Sequence, residues 1–328
     1  SRWKTGYGVS LIHYGNCLGA AGWFMDGSGA RIKLHRDGSI SVAFGLIEMG
    51  QGALTVVQQM TAEALGVEPS RITVLPTDTD KVPDSGPSVA SRNVVMTGNA
   101  IRDAAGKLLP ILKESAAELM QCDLKEIRIE QDEVSNIRNT EKLGFAELCN
   151  YLYLSNRPMD VLGWWHVPEL DYDPINGVGE AYFTYSYATH IARVKVDTLT
   201  GQVKVAKIWA SHDVGRAINP AGLEAQIEGG AAQGIGWALT EDFKVSGGKV
   251  LSDNLTTYLL PTAMDVGDIE SILVEDPEPE GPWGAKGIGE PAIIPTAAAI
   301  ANAVSNALGK SVAHIPIKPE HILDMVGE

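Results

Sequence analysis

Cysteine is scarce in this sequence, and its scarcity excludes several chemistries. The three cysteines, Cys17, Cys122 and Cys149, lie far apart and form no CxxC pair. A four-cysteine iron–sulfur cluster or structural zinc site therefore cannot be built from this chain alone, and a disulfide framework is unsupported at such density. The histidines add no HExxH or HxH pair, so any metal has to be held by something other than protein side chains. Basic residues are also few: 26 Lys and Arg against 41 Asp and Glu give a net charge of −15. That balance argues against nucleic acid or an anionic membrane as the main partner, because both are gripped by clustered cations. No apolar run reaches the ~18 residues of a membrane span, and the opening Ser1-Arg2-Trp3-Lys4 does not read as a signal peptide. A cytoplasmic location is the expectation.

Glycine is what the chain has in excess, 35 of 328 residues. Many of these glycines fall in four clusters, at 15–29, 45–52, 215–236 and 281–289. Glycine gathered beside helix starts points to backbone amides pressed against a large ligand. The length and the 45% hydrophobic content suit a globular chain with room for two domains.

Residues 30–35 and 39–44 alternate with period two across Asp37-Gly38, a hairpin signal. The turn Glu48-Met49-Gly50-Gln51-Gly52 follows, then a helical run over 53–65, a short strand at 72–75 and an ordered loop over 76–93. A helix is expected from about 98 to 120, kinked at Pro110. The stretch 123–174 has little pattern, and its Trp164-Trp165-His166 reads as packing. The second half repeats the plan of the first: strands at 190–196 and 203–208, an acidic glycine-containing turn, and a helix from Pro220 bearing Gln226 and Gln233. Two α+β subdomains facing a shared cleft are the expected architecture, with Gln51 on one and Gln226 on the other.

Near the end, Gly284-Ala285-Lys286-Gly287-Ile288-Gly289-Glu290-Pro291 runs into a helical stripe of Ile293, Ile294, Ala297, Ala298, Ala301, Val304, Ala307 and Leu308, stopped by Gly309. Three glycines deliver one carboxylate, with Pro291 expected at the first helical position. Glu290 is either a general base or a plain helix cap. The glycines alone would also suit an anion nest, although no GxxxxGK[ST] pattern is present.

Four segments in order narrow the choice: Glu48-Met49-Gly50-Gln51-Gly52; Gly86-Pro87-Ser88-Val89-Ala90-Ser91; Asn219-Pro220 with Gln226-Ile227-Glu228-Gly229 and Gln233-Gly234; and Lys286-Gly287-Ile288-Gly289-Glu290-Pro291. Together they resemble the molybdenum hydroxylases, the xanthine dehydrogenase and aldehyde oxidoreductase family, from about Tyr7 to the end. The resemblance implies an α+β fold of two mixed α/β subdomains of the molybdopterin-binding domain, with the cofactor cleft between them. The expected division is a first subdomain at 1–160 and a second, carrying the catalytic glutamate, at 161–328. It makes Glu290 the general base, and Gln51 a catalytic-site amide against the pterin and near a terminal ligand of the metal. Met49, Gly50, Ser88, Val89, Ala90, Ser91, Asn93, Val94, Gln226, Lys286, Gly287, Ile288 and Gly289 become cofactor contacts. Molybdenum is then held by the pterin dithiolene, with no direct protein ligand.

The family's upstream Gly-Phe-Gly loop and arginine-bearing substrate segment have no counterpart here. The resemblance is therefore to the second half of the molybdopterin-binding domain, arranged as in the medium molybdopterin subunit of nicotinate dehydrogenase. It implies hydroxylation of a small heteroaromatic substrate, nicotinate by preference, with water as oxygen source. It further implies the cytosine dinucleotide form of the cofactor with a terminal sulfido or selenido ligand. The implied partners are a larger molybdopterin subunit, a [2Fe-2S] subunit and an FAD subunit. A split xanthine or purine dehydrogenase and an aldehyde oxidoreductase are the alternatives, and a non-catalytic partner completing the cofactor shell is another. His13-Tyr14 and Trp283-Gly284 are the segments with a possible approach to substrate, packing being an equal reading for both.

Overall fold

The computed structural model describes residues 2–327. It resolves into two compact units, each built from separated stretches of chain. The first combines the chain up to Tyr14 with Tyr185–Asp276 and the stretch from Ile288 onward; the second combines Gly15–Thr184 with Pro277–Gly287. The expected single cut at 160 differs from this interleaving. The reason is strand pairing: Trp3–Gly15 finds its neighbour in Tyr185–Asp197, far along the chain.

In the first unit the sheet order is Trp3–Gly15, Tyr185–Asp197, Val203–Asp213, Asp268–Val274. The two central strands are antiparallel with a bulge between Arg193 and Val194, and Val203–Asp213 runs parallel to Asp268–Val274. Alternation sends Ala192, Val194 and Val196, with Val205, Ile208 and Ala210, to the buried face. The helices Pro220–Leu239 and Ile294–Leu308 supply Ile227, Ile235, Ile300 and Val304 to the same core. Sheet and helix approach closely: a Cβ on Gly8 would lie 2.2 Å from both Ala299 O and Ala303 N. Gly309, at φ 73°, ends the second helix in the left-handed conformation.

In the second unit the sheet order is Ile72–Val74, Ile40–Phe44, Gly27–Leu34, Asp160–His166. The expected hairpin pairs Ala30 with Phe44 and Leu34 with Ile40. The helix Ala53–Leu65 matches its expected span, while the next helix, Asn93–Met120, starts earlier than expected and continues unbroken through Pro110. The pattern-poor middle holds a three-stranded sheet of Ile127–Glu130, Glu133–Asn136 and Lys142–Gly144, then the helix Phe145–Leu154. Trp164 is half exposed, whereas Trp165 meets Phe183 edge-on and His166 meets Trp23 edge-on. Among the described residues no helix is long and apolar enough to cross a membrane.

The first unit's core also contains two fully buried histidines, His190 and His212, with their Nε2 atoms 2.8 Å apart. Burial holds the His190 ring down to about 3, helped by His212, and burial alone holds His212 to about 4. Both rings are therefore neutral in the fold, whereas an unfolded histidine takes its proton at about pH 6.5. Between those values the unfolded chain binds more protons, so stability is present above about pH 6.5 and is lost as pH falls through the window.

Gly8→Val should lower the thermal midpoint in unfolding scans, by the equivalent of about 1–3 kcal/mol, because the helix has no room to give. Wild type should also melt lower at pH 5 than at pH 7 in the same scans. The His190→Met/His212→Met double variant should lose most of that pH difference.

Candidate functional site

The turn before Ala53–Leu65 is held by its own side chains. Glu48 Oε1 accepts from the N–H groups of Gly50 (2.7 Å) and Gly52 (3.1 Å), and Oε2 accepts from that of Leu54 (3.1 Å). Burial pushes the Glu48 carboxyl up, but these amides and that of Ala53 prevail and hold it below its ordinary range. Gln51 spends both ends of its amide in the same turn, donating to Ile47 O (2.7 Å) and accepting from Met49 N (2.6 Å). Ile47 also receives Asn93 Nδ2 at 3.3 Å and donates to Ser88 Oγ at 2.7 Å. One backbone residue thus joins Gln51, Ser88 and Asn93. Gly50 and Gly52 have φ of 111° and 81°, and a Cβ on either would meet no atom within 4 Å. Exposed Met49 and Val89 add apolar surface. An open backbone turn beside apolar side chains fits a large planar ligand of the pterin kind.

The loop leading to Asn93–Met120 is strained and firmly fixed. Ala90 and Ser91 are consecutive non-glycine residues with φ of 53° and 52°, a conformation that costs roughly 1–3 kcal/mol per residue. Cys17 N donates to Ala90 O (2.9 Å), and a Cβ on Gly287 would lie 1.8 Å from Ser91 O. Loops 88–91 and 286–287 therefore touch, backbone to backbone. Arg92, fully buried, places Nε on Asp26 Oδ1 (2.7 Å), Nη1 on Ser85 O (2.7 Å) and Pro87 O (2.8 Å), and Nη2 on Met25 O (3.3 Å) and Gly27 O (3.1 Å). Every donor of the guanidinium is met. Arg92 is the residue that the motifs do not include, and Glu48, the first residue of its motif, carries no role there. The signal was an arginine between Ser91 and Asn93, too close to an apolar helix to be solvated.

The segment before the glycine motif is anchored in the second unit. Asn99 Nδ2 donates to Glu280 O (2.8 Å), Thr184 Oγ1 donates to Glu278 Oε2, and Pro282 packs against Gly98. Trp283, at φ 52°, is half-buried there. Lys286, Gly287 and Ile288 are buried, while Gly289 and Glu290 are exposed.

Glu290 lies in the first unit. The helix begins at Ile294 with Ile293 as cap residue and no side-chain cap, so Glu290 stands a turn ahead of it. The expected Pro291 start is corrected to Ile294: Pro291 sits in the preceding turn, where Glu290 O accepts from Ile293 N at 3.2 Å. Of the expected stripe Ala297 and Val304 are buried and Ala301, Ala307 and Leu308 pack partly buried on the core; Thr296, Ala299, Ile300 and Ala303 join them, while Ile294 and Ala298 are exposed. Tyr14 Oη donates to Glu290 Oε2, and beside it His13 lies against Tyr185 (4.1 Å between centroids) and stacks on Tyr187 (5.0 Å). Gln226 is half-buried on Pro220–Leu239. Gly229 and Gln233 recur on the same helix face, and a Cβ on Gly229 would again meet nothing within 4 Å. Val94 is half-buried in the first turn of its helix. A depression lined by His35, Arg36, Asp37, Ser39 and Asn150 contains none of these residues.

Magnitudes separate Arg92 from a surface pair. Arg92→Met leaves Asp26 buried without its cation and should cost about 3–5 kcal/mol. Arg31→Met breaks an exposed pair with Asp160 and should cost less than about 1 kcal/mol. Denaturant unfolding of the two variants, with proteolysis of loop 85–93 as a second readout, measures the contrast.

Residues 1–267 match the molybdopterin cofactor-binding domain family. A subunit of a probable xanthine dehydrogenase of Bacillus subtilis is 34% identical over 98% of this chain and 42% of its own length. The aldehyde oxidoreductase of Megalodesulfovibrio gigas is 32% identical over 98% of this chain and 32% of its own. Among solved structures, quinoline 2-oxidoreductase from Pseudomonas putida 86 superposes with a TM-score of 0.87 at 28% identity, over 99% of this chain and 42% of that one. The chain thus spans less than half the length of the relatives it matches. It belongs to the molybdopterin cofactor-binding domain family, in the part shared with xanthine dehydrogenase and aldehyde oxidoreductase proteins.

Proposed function

We propose that this chain is the Glu290-bearing part of a molybdenum hydroxylase, binding molybdopterin and supplying the general base for hydroxylation of a small heteroaromatic substrate. The observation that carries the reading is Glu290 itself: an exposed carboxylate ahead of, not capping, its helix, with one oxygen held by the Tyr14 phenol. Such a group accepts a proton from a fixed position. Within the second unit the open Gly50-Gln51-Gly52 turn, the 88–91 loop and Lys286–Gly287 are the proposed cofactor contacts, and within the first unit Gln226 is the proposed one. Bound molybdenum would supply the two-electron acceptor for oxidising an electron-poor carbon, with water as the oxygen source. Glu290 takes the proton released as that oxygen is transferred. Tyr14 keeps the carboxylate in one orientation during the transfer.

The likeness to a quinoline oxidoreductase supports a nitrogen heteroaromatic substrate, and nicotinate is our preferred member. Purines and aldehydes are the competing substrates, supported by the two sequence relatives. The cytosine dinucleotide form of the cofactor, its sulfido or selenido ligand, and a cytoplasmic location complete the proposal. The Bacillus subtilis relative is one subunit of its enzyme, which supports a larger molybdopterin subunit, an iron–sulfur subunit and an FAD subunit as the proposed partners. A purely structural role in the cofactor shell would leave Glu290 without a task.

Glu290→Gln should assemble and retain molybdenum but lose turnover by at least about 10²–10⁴-fold. Steady-state rates on nicotinate, xanthine and an aldehyde measure this, and wild-type rates in the variant would overturn the assignment.

A further inference from the structure

Resting on that reading of Glu290, we infer that His190, His212 and Thr296 form a buried hydrogen-bonded relay that positions the Glu290 turn. The relay joins three elements of the first unit. His190 lies on Tyr185–Asp197 and His212 on Val203–Asp213, diagonally across the pair because His212 faces Ala188 in the register. His190 Nε2 meets His212 Nε2 at 2.8 Å, and His190 Nδ1 meets Thr296 Oγ1 at 2.9 Å. All three side chains are fully buried. Thr296 stands in the first turn of Ile294–Leu308, the turn that follows Glu290.

The ring contact fixes proton positions. One Nε2 has to donate to the other. If His212 donates, His190 carries its single proton on Nδ1 and donates it to Thr296 Oγ1, leaving His212 Nδ1 as a buried acceptor without a partner among the described residues. The reverse tautomers would leave a buried N–H at that atom, the rarer and costlier defect. The chain of donors therefore runs from His212 through His190 to the threonine hydroxyl. It works only with neutral rings, and burial keeps both neutral. In the register His190 faces Ala210 and His212 faces Ala188, both small and buried. The neighbouring Asp213 carboxylate is engaged with Gly215 N at 3.0 Å.

The path from Thr296 to Glu290 is short and stiff. Thr296 N donates to Ile293 O (3.4 Å), and Ile293 N donates to Glu290 O (3.2 Å). Pro291 and Pro295 fix φ within the same stretch. Opposite them, Cβ atoms on Gly230 and Gly234 would lie 2.6 Å from Ala292 Cβ and 2.4 Å from Thr296 Cβ. The helix start is thus wedged against one helix and tied by Thr296 to the sheet, so Glu290 inherits its place from the relay. None of the three relay residues is a catalytic residue; they act through the turn.

Thr296→Val in the intact complex keeps the shape and removes the hydroxyl. Amide hydrogen exchange in 289–294 should rise several-fold, kcat should fall on the order of tenfold with KM unchanged, since small misplacement of a catalytic group is expensive, and Thr296→Ser should restore both. Wild-type exchange and kcat in Thr296→Val, or a serine variant no better than the valine one, would overturn the relay. If Thr296→Val fails to accumulate, His212→Phe should show the same rise in exchange, and wild-type exchange there overturns the relay equally. Glu290→Gln separates the two readings: it should abolish turnover with wild-type exchange in 289–294. Full turnover in Glu290→Gln would sink the general-base reading while the exchange data still judge the relay. An inactive Glu290→Gln beside an unaffected Thr296→Val would sink the relay alone.

Discussion

A buried guanidinium is tolerated only when every donor is met, and Arg92 satisfies that condition by gathering four backbone carbonyls and one carboxylate from two stretches of chain. The second unit's candidate surface depends on this convergence. It fixes 85–92 against 25–27, which allows Ala90 and Ser91 to hold a left-handed conformation that would otherwise relax. The same loop receives Gly287 so closely that no side chain fits. The backbone there is set before any ligand arrives, and preorganisation of that kind lowers the ordering cost of binding.

The first unit follows a different rule. Its sheet and helices meet through small residues, Gly8 against Ala299 and Gly230 against Ala292, and close backbone contact transmits position well because packed interiors yield little. Glu290 gains from this. It is exposed, yet the turn behind it is wedged on one side and held by hydrogen bonds on the other. Reactivity and rigidity are divided: the carboxylate meets solvent and the tyrosine, while buried neutral groups hold its backbone.

Much of this was legible in the residues. The hairpin around Asp37-Gly38, the 53–65 helix and the helix from Pro220 follow from period and capping, since Asn219 accepts from Gly222 N as an N-cap should. The glycine-glutamate motif is local and shows directly in sequence. What stayed hidden was non-local. The sharing of Trp3–Gly15 with a sheet from the second half depends on pairing across more than a hundred residues. The three-stranded sheet after residue 126 uses strands of three or four residues, too short for a period to emerge. Arg92 and the histidine pair declare themselves only when burial is known, because Arg and His are ordinary surface residues in a sequence read alone. The helix start at Ile294 was misplaced since Pro291 and Pro295 both suit a first turn, and packing chose the second.

Glu290 as the working base of a molybdenum enzyme is the proposal on which the functional reading stands. Metal analysis by mass spectrometry of the native complex purified through this chain tests it most directly. About one molybdenum per copy of the chain, with iron alongside, is the expected result. A complex that retains its partner subunits yet contains no molybdenum would contradict it.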